Sequence, residues 1–356
     1  MKTLIRSIGL AASLLACVAS SALAQTGDDT RFKGVTLRIG TWGSATRDSL
    51  RDDVAAEIEK RGGKVEFVIG SPQDNMAKLI AARGQVPFDL YEFLGTMRPE
   101  IEGRGFLAKL NMQNIPNAKA VAALQPNDMM VPTWITQEMI IYNPERFKEA
   151  GIPAPKSLAD LRNPKLAGRV MIPDISSGGG IEAVGAFALT AGGDETNITP
   201  GLKMITEIPG VRFWKAGGEV ITQFKSGDIW AAMAHAGWAL RTAQSGVKIV
   251  TVPPMIGSRE GLIKEGYIGV VKGTKNQEAA EFFINTYLSA AAQYQFALKV
   301  GSIPVVGDAR VKMGEQPLMR ELLVLDAKKI DGMTRLNPAK IDLSKWNDEW
   351  NRSVAR

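Results

Sequence analysis

Apolar and polar positions alternate along 35–42, Val-Thr-Leu-Arg-Ile-Gly-Thr-Trp, with the period of two that marks a half-buried strand. Gly43, Ser44 and Ala45 break that pattern, and over 46–61 the apolar positions recur at helical spacing among charges. The same alternation continues through a strand at 64–69, a helix at 73–83, a strand at 88–94 and a helix over about 97–103. Strands alternating with helices predict a mostly parallel sheet covered on both faces. Ligands of such sheets bind beyond the carboxyl ends of the strands, so Thr41, Trp42 and Ser44 are expected at one mouth with Glu92 and its neighbours.

A loop-rich crossing at 113–132 leads to Thr-Trp-Ile-Thr-Gln-Glu-Met-Ile-Ile-Tyr at 133–142, a strand that feeds a second α/β unit. Helices are expected near 201–207, 219–225 and 237–244, and strands at 229–234, 247–252 and 266–271. Residues 277–298 are expected to form the longest helix, with Phe283, Tyr287, Ala291 and Tyr294 on one core-facing stripe. Tail helices follow near 318–326 and 343–353, where Trp346 and Trp350, four apart, make a docking face.

Residues 170–185 carry the most suggestive local chemistry. A short branched strand, Val-Met-Ile-Pro-Asp-Ile, turns through Ser176, Ser177, Gly178, Gly179 and Gly180 into an apolar helix running to about Ala191. Ser176 or Ser177 can cap that helix. The glycines let backbone N–H groups approach a ligand, and the helix start favours an anionic or hydroxyl-bearing group. Gly178, Gly180 and Ala183 also meet a loose dinucleotide-binding pattern, but no first βαβ unit with a ribose-binding acid accompanies it.

The chain opens with Lys2 and Arg6, an apolar run to about Val18 and the small-x-small site Ala22-Leu23-Ala24, which reads as a cleaved secretory signal over 1–24. Cys17, the single cysteine, lies in Leu-Leu-Ala-Cys, and lipid anchoring there is the alternative to ordinary cleavage before Gln25. With ordinary cleavage the mature chain has no cysteine, which excludes disulfides, thiol catalysis and cysteine-ligated metal. About 330 mature residues suffice for two domains. The formal charge of +6 drops to about +4 without Lys2 and Arg6, and no basic run points to nucleic acid.

Taken together, 37–42, Phe88-Asp89-Leu90, 155–161, Asn-Pro-Lys-Leu-Ala-Gly-Arg-Val at 163–170 and Ser302-Ile303-Pro304 resemble the periplasmic solute-binding proteins of ABC transporters. The branch is the one that includes polyamine, ferric-iron, thiamine and phosphonate binders. The resemblance implies an α/β, two-lobed type II periplasmic binding protein fold, with a mixed, mostly parallel sheet in each lobe and the ligand cleft between them. It further implies lobe 1 at 25–136 plus 266–299, lobe 2 at 137–265 plus 300–356, and crossings near 136, 265 and 300. The implied role is a non-enzymatic, cofactor-free, monomeric capture protein of the periplasm that delivers a small solute to an inner-membrane ABC permease.

Matching the polyamine binders gives Trp42 as an aromatic at the first strand's end, but Gly43, Ser44 and Gly266 stand where acids would meet an amine. A dication without carboxylates would lose the pairing that offsets its desolvation. Glu92, Glu219 and Glu265 are the candidate amine partners. The solute classes left open are a polyamine-like amine and a zwitterionic or anionic amino-acid or phosphonate-type compound, the latter anchored at 176–179. Thr41, Trp42, Ser44, Trp134, Gln137, His235, Trp238 and Tyr267 complete the expected ligand set.

Ferric iron is the first alternative, but Tyr91, Tyr142, Tyr267, Tyr287 and Tyr294 are scattered and no metal ligand set is expected. A secreted hydrolase is the second. It would have to use His235, the sole histidine, and no G-x-S-x-G elbow surrounds Ser176 or Ser177. No catalytic residue is assigned.

Overall fold

The computed structural model describes residues 29–354. The signal segment, Cys17 and the cleavage site therefore lie outside the described residues. The strands are β1 (Thr36–Thr41), β2 (Lys64–Ile69), β3 (Leu90–Leu94), β4 (Met130–Tyr142), β5 (Val170–Pro173) and β6 (Arg212–Trp214). They continue with β7 (Ala231–His235), β8 (Val250–Val252), the small ribbon β9 (Met255–Ile256) and β10 (Arg259–Glu260), then β11 (Leu262–Val270) and β12 (Ile303–Pro304). Ten of them join in one mixed sheet, ordered β2-β1-β3-β11-β4-β7-β5-β6, with β8 and β12 also pairing with β4. This is an α/β fold of the expected kind.

Two long strands hold the halves together. β4 is 13 residues long and buried throughout. Its first part pairs antiparallel with β11 from Met130 to Glu138, and its last part, from Glu138 to Tyr142, pairs with β7 and β8. On one side the parallel run β2-β1-β3 is joined through β11, and on the other β7, β5 and β6 run parallel. One core, around Leu37, Ile39, Phe88, Phe283 and Tyr287, continues across to Ala232 and Leu240. A second, around Ile140, Ile172 and Phe187, includes Trp346 and Trp350. Trp346 Nε1 donates to the Glu195 carbonyl at 3.1 Å, and Trp350 meets Phe213 edge-on at 5.3 Å, which docks the terminal helix Leu343–Ser353.

Three local expectations are corrected. The long helix at 277–298 is two helices, Gln277–Tyr287 and Ala290–Val300, because Ser289 is extended (φ −69°, ψ 146°) and its hydroxyl accepts from the Ala292 N–H. Ala291 is exposed, so it drops out of the expected core stripe. The helix after 170–173 begins at Gly180 with Gly179 before it and no side-chain cap, so neither serine caps it. Ser176 instead closes a turn on Asp174, which accepts from its hydroxyl at 2.6 Å and from its N–H at 2.9 Å.

Candidate functional site

A cavity of about 530 Å³ opens where the loop after β1, the loop after β6 and the middles of β4 and β11 converge. Its apolar walls are Trp42, Trp134, Trp238 and Phe296, and its polar groups include Ser44, Thr136, Arg241 and Lys264. Gly43, Gly178, Gly217 and Gly218 bring backbone to its surface. Trp42 and Trp134 meet edge to face at 5.5 Å, a geometry that suits the quadrupoles of two indoles. Ser44 is left-handed (φ 54°) at the turn from β1 into the helix Ser44–Leu50. No acid lines the cavity among the described residues.

Its two cations differ in how they are balanced. Lys264, on β11, is buried and lies 3.1 Å from Glu138 on β4, and its ammonium donates to the Gly178 carbonyl at 2.7 Å. Burial opposes its charge, but Glu138 and Glu182 more than offset that and hold its pKa above the ordinary value. Burial pushes Glu182 up to about 7, with Lys264 pulling the other way and Glu138 adding to the rise.

Arg241 has no such partner. Its guanidinium stacks 3.9 Å over the Trp238 ring and donates once, to the Val300 carbonyl at 2.9 Å, while its buried Nε has no partner. No carboxylate pairs with it among the described residues, and burial lowers its pKa to about 10, so it stays cationic at neutral pH. The two residues share a face because they are three apart on the helix Ala236–Gln244.

Of the expected residues, Trp42, Ser44, Trp134, Gly178 and Trp238 line this cavity. The others are placed elsewhere. Thr41 and Glu92 lie beneath it, both buried, with the Thr41 hydroxyl donating to the Glu92 carboxylate. Burial pushes Glu92 up to about 7, against a smaller pull from Thr41.

Gln137 is buried on the opposite face of β4, where its amide bonds both the carbonyl (2.7 Å) and the N–H (3.0 Å) of Val324. Glu265 likewise faces away on β11, accepting from Arg335 Nε at 3.1 Å and from the Tyr267 hydroxyl at 2.9 Å. Tyr267 itself is buried, whereas Glu265 is partly exposed. Glu219 accepts the N–H groups of Lys215 and Ala216 at the start of its own helix.

His235 ends β7 behind Trp238, ring centroids 5.4 Å apart, with Nδ1 unpartnered. Its burial, with Lys264 and Arg241 nearby, holds its pKa well below the ordinary value, so it is neutral. Ser176 is exposed and Ser177 is buried, its hydroxyl accepting weakly from Gly179 N–H at 3.4 Å. A side chain at Gly179 would stand 3.5 Å from Glu138 Oε2, so the chain's own acids, Glu138 and Glu182, already crowd the turn where an anion was expected.

Thr136, Arg241, Lys264 and Phe296 were not among the expected residues. The signal for the first and third was parity: on β4, Trp134 and Thr136 share a face that Gln137 cannot, and on β11 Lys264 faces opposite to Glu265.

Residues 43–294 match the family model of the bacterial extracellular solute-binding proteins. No curated protein matches the chain in sequence. Several solved structures share the fold. A GABA receptor is 22% identical with a TM-score of 0.72, covering 90% of this chain and 97% of its own. The binding protein AgtB from A. tumefaciens R10 in complex with agropinic acid is 18% identical, TM-score 0.68, covering 90% and 97%. The spermidine/putrescine ABC transporter substrate-binding protein PotD from Streptococcus pneumoniae is 17% identical, TM-score 0.70, covering 90% and 98%.

Proposed function

We propose that this chain, which belongs to the bacterial extracellular solute-binding proteins, is the periplasmic capture component of an ABC importer for a small carboxylate-bearing solute. The observation that carries the solute class is Arg241, a half-buried guanidinium that among the described residues has an unpartnered Nε and no acid of its own, set into an otherwise indole-lined cavity. A buried charge of that kind is costly unless something pairs with it, and a carboxylate from the solute supplies two acceptors in the geometry a guanidinium prefers. Lys264 does not compete, because Glu138 already neutralises it. The indoles take the rest of the solute by apolar contact, or by cation–π contact where the solute is an amino acid.

A diamine is disfavoured by the same count. It would bring positive charge to a cavity that, among the described residues, has an unpaired arginine and no lining acid. Agropinic acid, named with one structural neighbour, is of the favoured class.

The cavity takes walls from both halves of the sheet: Trp42 and Phe296 on one side, Gly217, Trp238 and Arg241 on the other. Solute that bridges them stabilises a closed arrangement over an open one. Delivery to an inner-membrane permease follows from the family role, and catalysis forms no part of the proposal.

The test is calorimetric titration of mature protein with linear ω-amino monocarboxylates, dicarboxylates and putrescine, alongside R241Q. Carboxylates are expected to bind and to reduce the radius of gyration in solution scattering. R241Q is expected to lose about 30-fold or more in affinity, the effect of deleting one partner of a buried charged contact. Binding of putrescine alone, unchanged in R241Q, overturns the assignment.

A further inference from the structure

Two of the three indoles in the cavity stand where a neighbouring side chain would otherwise be. Trp134 on β4 pairs in register with Gly266 on β11, and a Cβ built at Gly266 falls inside the Trp134 ring. On the facing wall, a Cβ at Gly217 falls inside the Trp238 ring. Neither glycine is needed for backbone reasons. Gly217 has helical dihedrals (φ −61°, ψ −18°), and Gly266 is not among the residues of positive φ. What both positions require is the absence of a side chain.

The two contacts act on the same space from opposite sides. Trp134 is braced by Trp42 at 5.5 Å, and Trp238 carries the Arg241 guanidinium stacked at 3.9 Å. A methyl group at either glycine has to push its indole away, because its Cβ would stand 2.0 Å from the Trp134 ring or 1.7 Å from the Trp238 ring, and each ring borders the open cavity.

We propose that Gly217 and Gly266 are the specificity-determining positions of this site. They set the distance between the indole walls and hence the length of solute the cavity accepts. Gly217 is also a positioning residue for Arg241, acting through Trp238. The inference rests on the carboxylate reading for its choice of probe, not for its geometry.

The experiment measures dissociation constants for linear ω-amino monocarboxylates of about two to eight carbons with wild-type protein, G217A, G266A and G103A. Nothing lies within 4 Å of a Cβ at Gly103, so G103A is the control. In G217A and G266A the preferred chain is expected to shorten by at least one methylene, with about tenfold or greater loss for the acid wild type prefers and little loss for shorter ones. G103A is expected to follow wild type.

W134F and W238F remove bulk instead of adding it and are expected to shift the preference to longer acids. They decide the matter where an alanine variant does not fold. Adding W238F to G217A is expected to restore the wild-type preference.

An unchanged preferred length in all variants overturns the proposal, and so does a uniform loss along the series. Should wild type bind linear diamines instead, the carboxylate reading fails, and the same shift in length, read on diamines, still decides the role of the two glycines.

Discussion

Glu92 offers a measurable test of how the buried charges are arranged. It is fully buried on β3, accepts from the Thr41 hydroxyl, leaves Oε1 without a partner and forms no ion pair among the described residues. Burial raises its pKa to about 7 from an ordinary 4.5. A folded-state pKa above the unfolded one means that the folded chain holds this proton more tightly. The associated stability is therefore complete below about pH 4.5 and is lost as pH rises through about 7. At 1.36 kcal/mol per pH unit, the loss approaches roughly 3 kcal/mol at pH 8. E92Q keeps the shape and the acceptor for Thr41 but cannot ionise. Wild type and E92Q are expected to differ little near pH 5, and E92Q to be the more stable by roughly 3 kcal/mol at pH 8, a melting-temperature gap of about 4–5 °C for a chain of this length. Glu182 titrates in both proteins and cancels in the difference. Calorimetric melting curves at several pH values provide the readout. Parallel curves for the two proteins refute the reasoning, as does an E92Q that falls further behind as pH rises.

K264M leaves Glu138 buried and unpaired and is expected to cost about 3–5 kcal/mol in urea unfolding at pH 7. S289A removes the hydroxyl that caps Ala290–Val300 and is expected to cost about 1 kcal/mol in the same assay, with solute affinity little changed. W350A empties a buried site against Phe213 and is expected to cost about 3–5 kcal/mol, again without moving solute affinity, since the terminal helix lies outside the cavity.

Where one element is decided by its own residues, the sequence was readable. β1, β3 and β5 carry period-two or continuous apolar runs ended by turn residues, and each lies within a residue or two of expectation. The break at 287–290 was not readable from periodicity. Phe283, Tyr287 and Tyr294 are all buried, so the stripe persists across two helices while the backbone between them turns on Ser289. A Ser three residues before a favourable N–H was the available signal, and an uninterrupted apolar stripe masked it. Nor does any local pattern say that β4 serves both halves of the sheet. Its 13 buried residues read as core in either half, and only its partners, β11 at one end and β7 at the other, distinguish the two.

The site turned on parity and on pairing, which are different kinds of information. Strand parity is local: once Trp134 faces the cavity, Thr136 must and Gln137 cannot, and Glu265 is excluded in the same way by Lys264. Choosing carboxylates and amides for a polar ligand picked Gln137 and Glu265, which lie on the faces of β4 and β11 turned away from this cavity. Pairing is not local. Lys264 and Arg241 are equivalent cations in the sequence, and what separates them is that β4 brings Glu138 to within 3.1 Å of the first while, among the described residues, no element brings an acid to the second. The sign of the cavity follows from that difference. On the carboxylate reading proposed above, the uncompensated cation is what a solute has to answer, and that cation stands out only when the strand that neutralises its neighbour has been placed.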